Sequence, residues 1–239
     1  MINLDFFKTK PIFGMIHLAG NDKCLTIANE EMLILEQEGV DGCIIENYHG
    51  SLDDVKKVLE RIKDLNTKMK IGINILPNEY QIALELSDKH KLDFIQLDAV
   101  AGKYMGHTFD VEDYMKFKNK FTNIAVLGGV FPKYYIPVAG SDLKTDLEDG
   151  MKRAEAIVVT GAGTGKETPL DKIKSFREII GNHPLIIGAG LNASNVEEQL
   201  KIADGAIVGS CFKRHGVTTN PIDRELVKEF MDAVKKVRI

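Results

Sequence analysis

The sequence has little of what marks several protein classes. Its 239 residues include no tryptophan, seven prolines and three cysteines. Cys24, Cys43 and Cys211 are odd in number and far apart, which argues against a disulfide framework or a cysteine-rich metal site. We expect them to be free thiols in a reducing cytoplasm.

Long apolar runs and an excess of charge of one sign are also missing. The longest apolar runs, such as 71–76 and 185–187, fall well short of the roughly 20 residues that span a bilayer. Residues 1–10 lack the apolar segment and cleavage site of a signal peptide. The net charge is −4, with basic and acidic residues interspersed. We therefore expect a cytoplasmic protein with no transmembrane segment and no broad nucleic-acid surface.

The chain instead contains short β-rich runs that alternate with longer stretches of helical period. Most runs are nearly continuous in Ile, Val and Leu, which is typical of parallel strands covered on both faces. The length suits one (β/α)8 TIM barrel, and no linker divides it, so we predict a single domain over residues 1–239. The predicted strands are 12–17, 42–46, 70–76, 94–98, 124–127, 156–160, 185–188 and 206–209.

Two long connections interrupt this pattern. Connections 99–110 and 128–145 both follow strands, so we expect them on the catalytic face of the barrel.

Helix-capping signals set the phase of the pattern. Three capping boxes and two prolines after a capping residue predict helix starts. They are Ser51 with Asp54, Thr168 with Asp171, Ser194 with Glu197, Thr168-Pro169 and Asn220-Pro221.

Polar residues end several of the predicted strands, at the edge of the barrel where active sites form. Glu46 and Asp98 are the strongest catalytic candidates, because apolar strands have no packing reason to end in a charge. Capping of loops is the structural alternative for any one of them. The polar strand ends are His17, Glu46, Asn47, Asn74, Asp98 and Thr160.

Glycines follow the last two strands, as Gly188-Ala189-Gly190 and Gly209-Ser210. Glycine lets the backbone approach an anion closely, and the loops after strands seven and eight commonly bind phosphate in such barrels. We predict a phosphate site there; tight turns are the alternative. A Rossmann interpretation of 188–193 fails because only one βα unit remains after it.

A third glycine-rich segment follows the sixth strand. It differs from a Walker P-loop twice, with Thr160 where the first glycine belongs and Glu167 where Ser or Thr should bind magnesium. We predict a lid that closes over substrate, with a solvated surface loop as the equal alternative. The lid residues are Thr160, Gly161, Thr164, Gly165 and Lys166.

No metal-ligand spacing is present among the loop histidines, which are His49, His107, His183 and His215. Glu46 and Asp98 could share a divalent ion, but two distant carboxylates are a weak signal. We predict neither a metal nor a cofactor.

Several motifs, in order along nearly the whole chain, resemble the BtpA/SgcQ family. They are Pro11-Ile12-Phe13-Gly14-Met15-Ile16-His17-Leu18, Gly39-Val40-Asp41-Gly42, Glu46-Asn47-Tyr48, Thr160-Gly161, Thr164-Gly165-Lys166, Ala203-Asp204-Gly205-Ala206-Ile207-Val208-Gly209-Ser210, Phe212-Lys213 and Asn220-Pro221-Ile222-Asp223.

This resemblance implies a phosphate-binding TIM barrel. The family is named after a protein of photosystem I biogenesis, and other members are placed in sugar or nucleoside metabolism. It also implies a Lys-His pair after the fifth strand, where this sequence has Lys133 followed by Tyr134. Lys133 is thus the nearest candidate cation.

Our leading hypothesis is an enzyme that acts on a sugar phosphate or a nucleoside-derived phosphate, with a homo-oligomeric assembly left open. Glu46 or Asp98 would be the general acid or base, and Asn74 and His17 would orient the substrate. Isomerase, lyase, and phosphorolysis or hydrolysis remain open. The alternatives are an assembly factor for a membrane complex, for which the sequence offers no docking patch, and a non-catalytic barrel that binds a phosphorylated ligand.

Overall fold

The chain forms the (β/α)8 TIM barrel that the sequence predicts. The computed structural model describes residues 4–62 and 65–238. Neighbouring strands pair in parallel in chain order, and β8 pairs with β1 to close the barrel. The strands are β1 Ile12–His17, β2 Gly42–Glu46, β3 Lys70–Asn74, β4 Phe94–Leu97, β5 Ala125–Gly129, β6 Ala156–Val159, β7 Leu185–Ile187 and β8 Gly205–Val208.

Helices follow the strands and cover the outside of the barrel, as parallel strands with apolar outer faces require. Two short 3₁₀ helices, Ser210–Phe212 and Arg214–Gly216, lie between β8 and the last α-helix. The α-helices are α1 Leu4–Phe7, α2 Cys24–Gln37, α3 Leu52–Ile62, α4 Tyr80–His90, α5 Val111–Lys118, α6 Leu143–Arg153, α7 Leu170–Ile180, α8 Val196–Leu200 and α9 Arg224–Lys235.

The strands separate two hydrophobic cores. The larger core packs outward-facing strand residues against the helices. The smaller one fills the barrel interior and includes Phe13, Ile44, Phe94 and Leu127. Because side chains alternate along a strand, the polar residues two and four positions beyond these apolar ones also point inward, toward the carboxyl end. The register between neighbouring strands therefore decides which of these polar side chains contact each other.

Several helix starts differ from the sequence prediction. The Ser51 and Asp54 capping box is confirmed, since each residue's backbone N–H donates to the other's side chain. The other predicted caps are wrong. The Thr168 hydroxyl donates instead to the carbonyl of Ala189, 3.0 Å away. A tertiary contact thus replaces the local cap at Thr168. The cap of α8 is Asn195 rather than Ser194. The helix α9 starts three residues after Pro221, and its cap is Asp223, which accepts from the Glu225 N–H.

The two long connections run beside each other on the carboxyl face. Met105 N–H donates to the Ile136 carbonyl at 2.9 Å, and Val138 N–H donates to the Lys103 carbonyl at 3.0 Å. Each loop thereby satisfies backbone groups of the other. The three cysteines are free thiols, as predicted. Within residues 4–62 and 65–238, no helix combines the length and apolarity needed to cross a membrane.

Candidate active site at the carboxyl ends of the strands

A cavity of about 140 Å³, partly open to solvent, lies at the carboxyl ends of the strands. The structure brings most of the predicted site residues to its wall, whereas Asn74, Thr160, Gly161 and Lys166 do not line it. The predicted residues that do are His17, Glu46, Asp98, Lys133, Thr164, Gly165, Gly188, Gly190, Gly209 and Ser210.

Two carboxyl groups meet through one amide at the floor of this cavity. Asn74, fully buried, donates from Nδ2 to Glu46 Oε1 at 2.8 Å and to Asp98 Oδ1 at 3.3 Å. Register explains the contact, because Glu46 pairs directly with Asn74 across β2 and β3. Asn74 therefore orients the carboxyl groups rather than facing the cavity itself.

Burial changes the protonation of both carboxyl groups. Burial, followed by the charge of Asp98, raises the pKa of Glu46 from 4.5 to about 8, although Lys133 and Asn74 oppose the shift. Burial also raises the pKa of Asp98. Two close carboxyl groups of this kind hold a proton near neutral pH, which suits acid–base chemistry.

His17 lies beside this pair. Its Nε2 is 3.6 Å from Glu46 Oε2, and its ring is 5.0 Å from that of Tyr48. Burial, with the charges of Lys213 and Lys133, lowers the pKa of His17 to about 3. The imidazole is therefore neutral at physiological pH, and one ring nitrogen can accept a hydrogen bond.

Lys133 brings a positive charge to the cavity from the loop after β5. Its backbone N–H donates to Thr160 Oγ1 at 2.7 Å, which gives the Thr160 hydroxyl a role in holding this loop. Its Nζ lies 3.1 Å from Thr164 Oγ1. Phe131 and Tyr134 on either side have φ of 49° and 68°, a region that non-glycine residues rarely adopt. Such strain is typical of functional loops.

The loop after β6 closes one side of the cavity through Thr164. The hydroxyls of Tyr48 and Tyr134 lie 3.3 and 3.2 Å from Thr164 Oγ1, and Thr164 N–H donates to Tyr134 Oη at 2.8 Å. Lys166 is exposed and does not line the cavity. Lys133, the candidate cation of the sequence, is the lysine that lines it.

The opposite half of the cavity is lined by glycines from three loops. Gly190 has φ of 73°, and a Cβ there would lie 2.1 Å from the Lys166 carbonyl oxygen. A Cβ on Gly209 would lie 2.8 Å from His17 Cε1, and one on Gly165 would lie 3.0 Å from Ser210 Oγ. A side chain at Gly190 would clash with the backbone of the loop after β6, whereas one at Gly209 or Gly165 would crowd a neighbouring side chain.

A search of protein-family models matches residues 8–236 to the BtpA family. The chain belongs to the BtpA family. An uncharacterized protein of Methanocaldococcus jannaschii is 27% identical, with 99% of each chain covered. The photosystem I biogenesis protein BtpA of Synechocystis is 25% identical, with 97% of this chain and 91% of that protein covered.

Solved structures share the fold of this BtpA-family barrel at low sequence identity. Phosphoribosyl anthranilate isomerase from Thermus thermophilus has a TM-score of 0.65 at 13% identity, covering 95% of this chain and 99% of that one. The N-(5'-phosphoribosyl)anthranilate isomerase from Pyrococcus furiosus has a TM-score of 0.64 at 18% identity, covering 95% and 100%. At such identities the likeness establishes the fold alone.

Sequence reasoning missed three features of this BtpA-family site. Gln96 and Tyr48 line the cavity although neither was predicted. Lys213 is buried behind the loop after β8, where its Nζ pairs with Glu31 Oε1 and Ile222 N–H donates to the same oxygen. The sequence signal that could have identified Gln96 is a polar residue inside an otherwise apolar strand.

Metal-binding residues do not cluster in this BtpA-family chain as the structure describes it. Within residues 4–62 and 65–238, no group of three or more His, Cys, Asp or Glu side chains is placed to hold an ion. The residues that face the cavity instead supply carboxyl groups, a neutral imidazole and one ammonium group.

Proposed function

We propose that the protein is an enzyme that carries out acid–base chemistry on a small phosphorylated metabolite, either a sugar phosphate or a nucleoside-derived phosphate. One observation carries the proposal: a glycine-lined half and a carboxyl-lined half share a single cavity. The first suits a phosphate group and the second suits proton transfer at the other end of the same molecule.

The phosphate would lie between the loops after β6, β7 and β8. Gly165, Gly188, Gly190 and Gly209 expose backbone there without side chains, and Ser210 adds a hydroxyl. Backbone N–H groups and hydroxyls are common partners of phosphate oxygens. The solved isomerases named above, whose names include a phosphoribosyl group, support the idea by analogy of fold.

Proton transfer would fall to the carboxyl groups. Glu46, with a pKa of about 8, holds a proton at neutral pH and can donate it to a substrate oxygen. Asp98 would accept a proton from the substrate, the neutral imidazole of His17 would orient the substrate through a hydrogen bond, and the Lys133 ammonium group would stabilise negative charge that develops on it. These groups favour an isomerase or a lyase, and the same groups could catalyse hydrolysis or phosphorolysis.

Binding of phosphate compounds tests this proposal directly. A ligand that binds only the folded protein raises its melting temperature, so we expect inorganic phosphate or a sugar phosphate to do so. Gly209→Asp should abolish the shift by adding a carboxylate to the site. Asn182→Asp, which adds the same charge on the surface of the loop before β7, is the matched control. No shift with any phosphate compound would overturn the proposal.

A second function, an assembly factor for a protein complex, gains support from one observation. The paired loops expose Met105, Tyr134 and Ile136, each at least 60% accessible. Apolar groups of this size on one rim are a feature of docking surfaces. Capture of a defined complex by the wild-type protein and not by Ile136→Glu, together with no binding of phosphate compounds, would favour this function over the enzyme.

A further inference from the structure

Gln96 occupies a position where barrel packing favours an apolar residue. It lies in β4 between Phe94, which is fully buried in the inner core, and Asp98, which faces the cavity. The three residues alternate along the strand, so they share the inward face. In the register with β5, Gln96 pairs with Leu127, an inner-core residue. The amide thus forms part of the cavity floor.

The oxygen of the Gln96 amide has no partner in the protein as described. Its Oε1 is buried and has no hydrogen-bond partner among the residues that the structure describes. A buried polar atom left without a partner destabilises a fold, and most such atoms in native proteins do find one. An apolar side chain of similar length would fill the same space without this cost. A ligand that pairs with the amide would account for its presence.

The groups around Gln96 define what such a ligand must offer. Glu46 and Asp98 present carboxyl oxygens to the same cavity. Within the described part of the chain, Lys133 is the single ammonium or guanidinium side chain that lines it. The floor is therefore rich in hydrogen-bond acceptors, and it fits a ligand rich in donors.

We propose that Gln96 is a substrate-binding residue: its amide turns so that Oε1, buried in the free protein, meets the cavity that Gln96 lines and accepts a hydrogen bond from a hydroxyl group of the substrate, at the end remote from its phosphate. With the carboxyl groups of Glu46 and Asp98, it selects a polyhydroxylated substrate, which is a sugar phosphate rather than an alkyl phosphate or an amine. A substrate ammonium group is disfavoured because Lys133 already places a positive charge beside these carboxyl groups.

The inference rests on the proposed phosphate-binding function, so its test separates the two. The first arm needs no ligand. Gln96→Met should keep or raise the melting temperature, because it removes an unpaired amide. Gln199→Met is the matched control: Gln199 is buried and its Oε1 is also unpaired, but its Nε2 donates to Glu167 Oε1 at 2.8 Å, so loss of this hydrogen bond should lower the melting temperature. A fall with Gln96→Met as large as that with Gln199→Met would assign Gln96 a structural role and overturn the inference.

The second arm compares four kinds of probe by thermal shift and calorimetry. They are inorganic phosphate, a panel of sugar phosphates of three to six carbons, butyl phosphate and phosphoethanolamine. In the wild type we expect at least one sugar phosphate to bind more tightly than the other three kinds. In Gln96→Met we expect affinity for that sugar phosphate to fall about tenfold, with the affinity for inorganic phosphate unchanged.

The outcomes are distinguishable. No binding of any probe by the wild type would overturn the proposed function and this inference together. Binding of inorganic phosphate without any preference for a sugar phosphate would overturn the inference alone. So would tighter binding of phosphoethanolamine, or equal affinity of the wild type and Gln96→Met for the preferred sugar phosphate.

Discussion

Glu46→Gln should change how the stability of the protein depends on pH. Burial and the nearby Asp98 raise the pKa of Glu46 from 4.5 to about 8. Between these values the folded protein holds a proton that the unfolded chain has released. The stabilising contribution is therefore fully present below pH 4.5 and is lost as the pH rises through 8. Glutamine cannot ionise, so the variant should not show this loss.

The size of the effect follows from the same pKa. A group protonated only in the folded state lowers the free energy of unfolding by about 1.4 kcal/mol for each unit by which the pH rises. Between pH 5.5 and 8 the wild type should lose roughly 3 kcal/mol through Glu46. This is a large part of the roughly 5–15 kcal/mol that stabilises an ordinary domain.

Urea unfolding at half-unit steps from pH 5.5 to 8.5 measures this directly. The wild type should become less stable across the range, whereas Glu46→Gln should lose much less of its stability. Glu148→Gln is the control, because Glu148 is exposed on α6, and it should follow the wild type. If the wild type and Glu46→Gln fell in parallel, Glu46 would be ionised in the folded protein and the proposed general acid would be wrong.

Three further variants test the geometry of the site. Gly209→Ala places a Cβ 2.8 Å from His17 Cε1, so inorganic phosphate should no longer raise its melting temperature; an undiminished shift would remove Gly209 from the phosphate site. Asn74→Ala removes a hydrogen bond from each of two buried carboxyl groups, so it should lower the free energy of unfolding in urea by about 1–3 kcal/mol. The pH at which Glu46 ionises should also rise, and an unchanged value would contradict the hydrogen bond from Asn74 to Glu46. Tyr134→Phe loses the acceptor of a backbone N–H after β6, so hydrogen exchange in residues 161–166 should accelerate, and unchanged exchange would show that this contact does not hold the loop.

The strand-end part of the site could be predicted because the fold itself collects those residues. In a parallel barrel every strand ends at one face, so polar residues such as His17, Glu46 and Asp98 meet whatever lies between them in sequence. Their inward direction follows from alternation with apolar inner-core residues. Neither step requires knowledge of side-chain contacts.

The loop residues and Gln96 could not be predicted in the same way. Lys133 faces the cavity from a loop in which Phe131 and Tyr134 have positive φ, and neither residue type signals that conformation. The partner of the Thr168 hydroxyl comes from the loop after the next strand. For Gln96, alternation along β4 indicates the inward direction, but the sequence does not show that the side chain reaches the cavity.

Three unsatisfied polar atoms on the strands bear on the choice between an enzyme and an assembly factor. Among the described residues, buried side-chain atoms without a hydrogen-bond partner occur on helices, as at Asn29 and Ser87, and also on strands that surround the cavity floor. The atoms on the strands are His17 Nδ1, Asn74 Oδ1 and Gln96 Oε1. Each such atom destabilises the fold, and apolar residues would serve a pure scaffold better. A barrel that acted only through its outer loops would gain nothing from this arrangement. Of the three residues, His17 and Gln96 line the cavity. A barrel that binds a polar ligand there gains hydrogen-bonding groups held in place before the ligand arrives, which favours the proposed enzyme over the assembly factor.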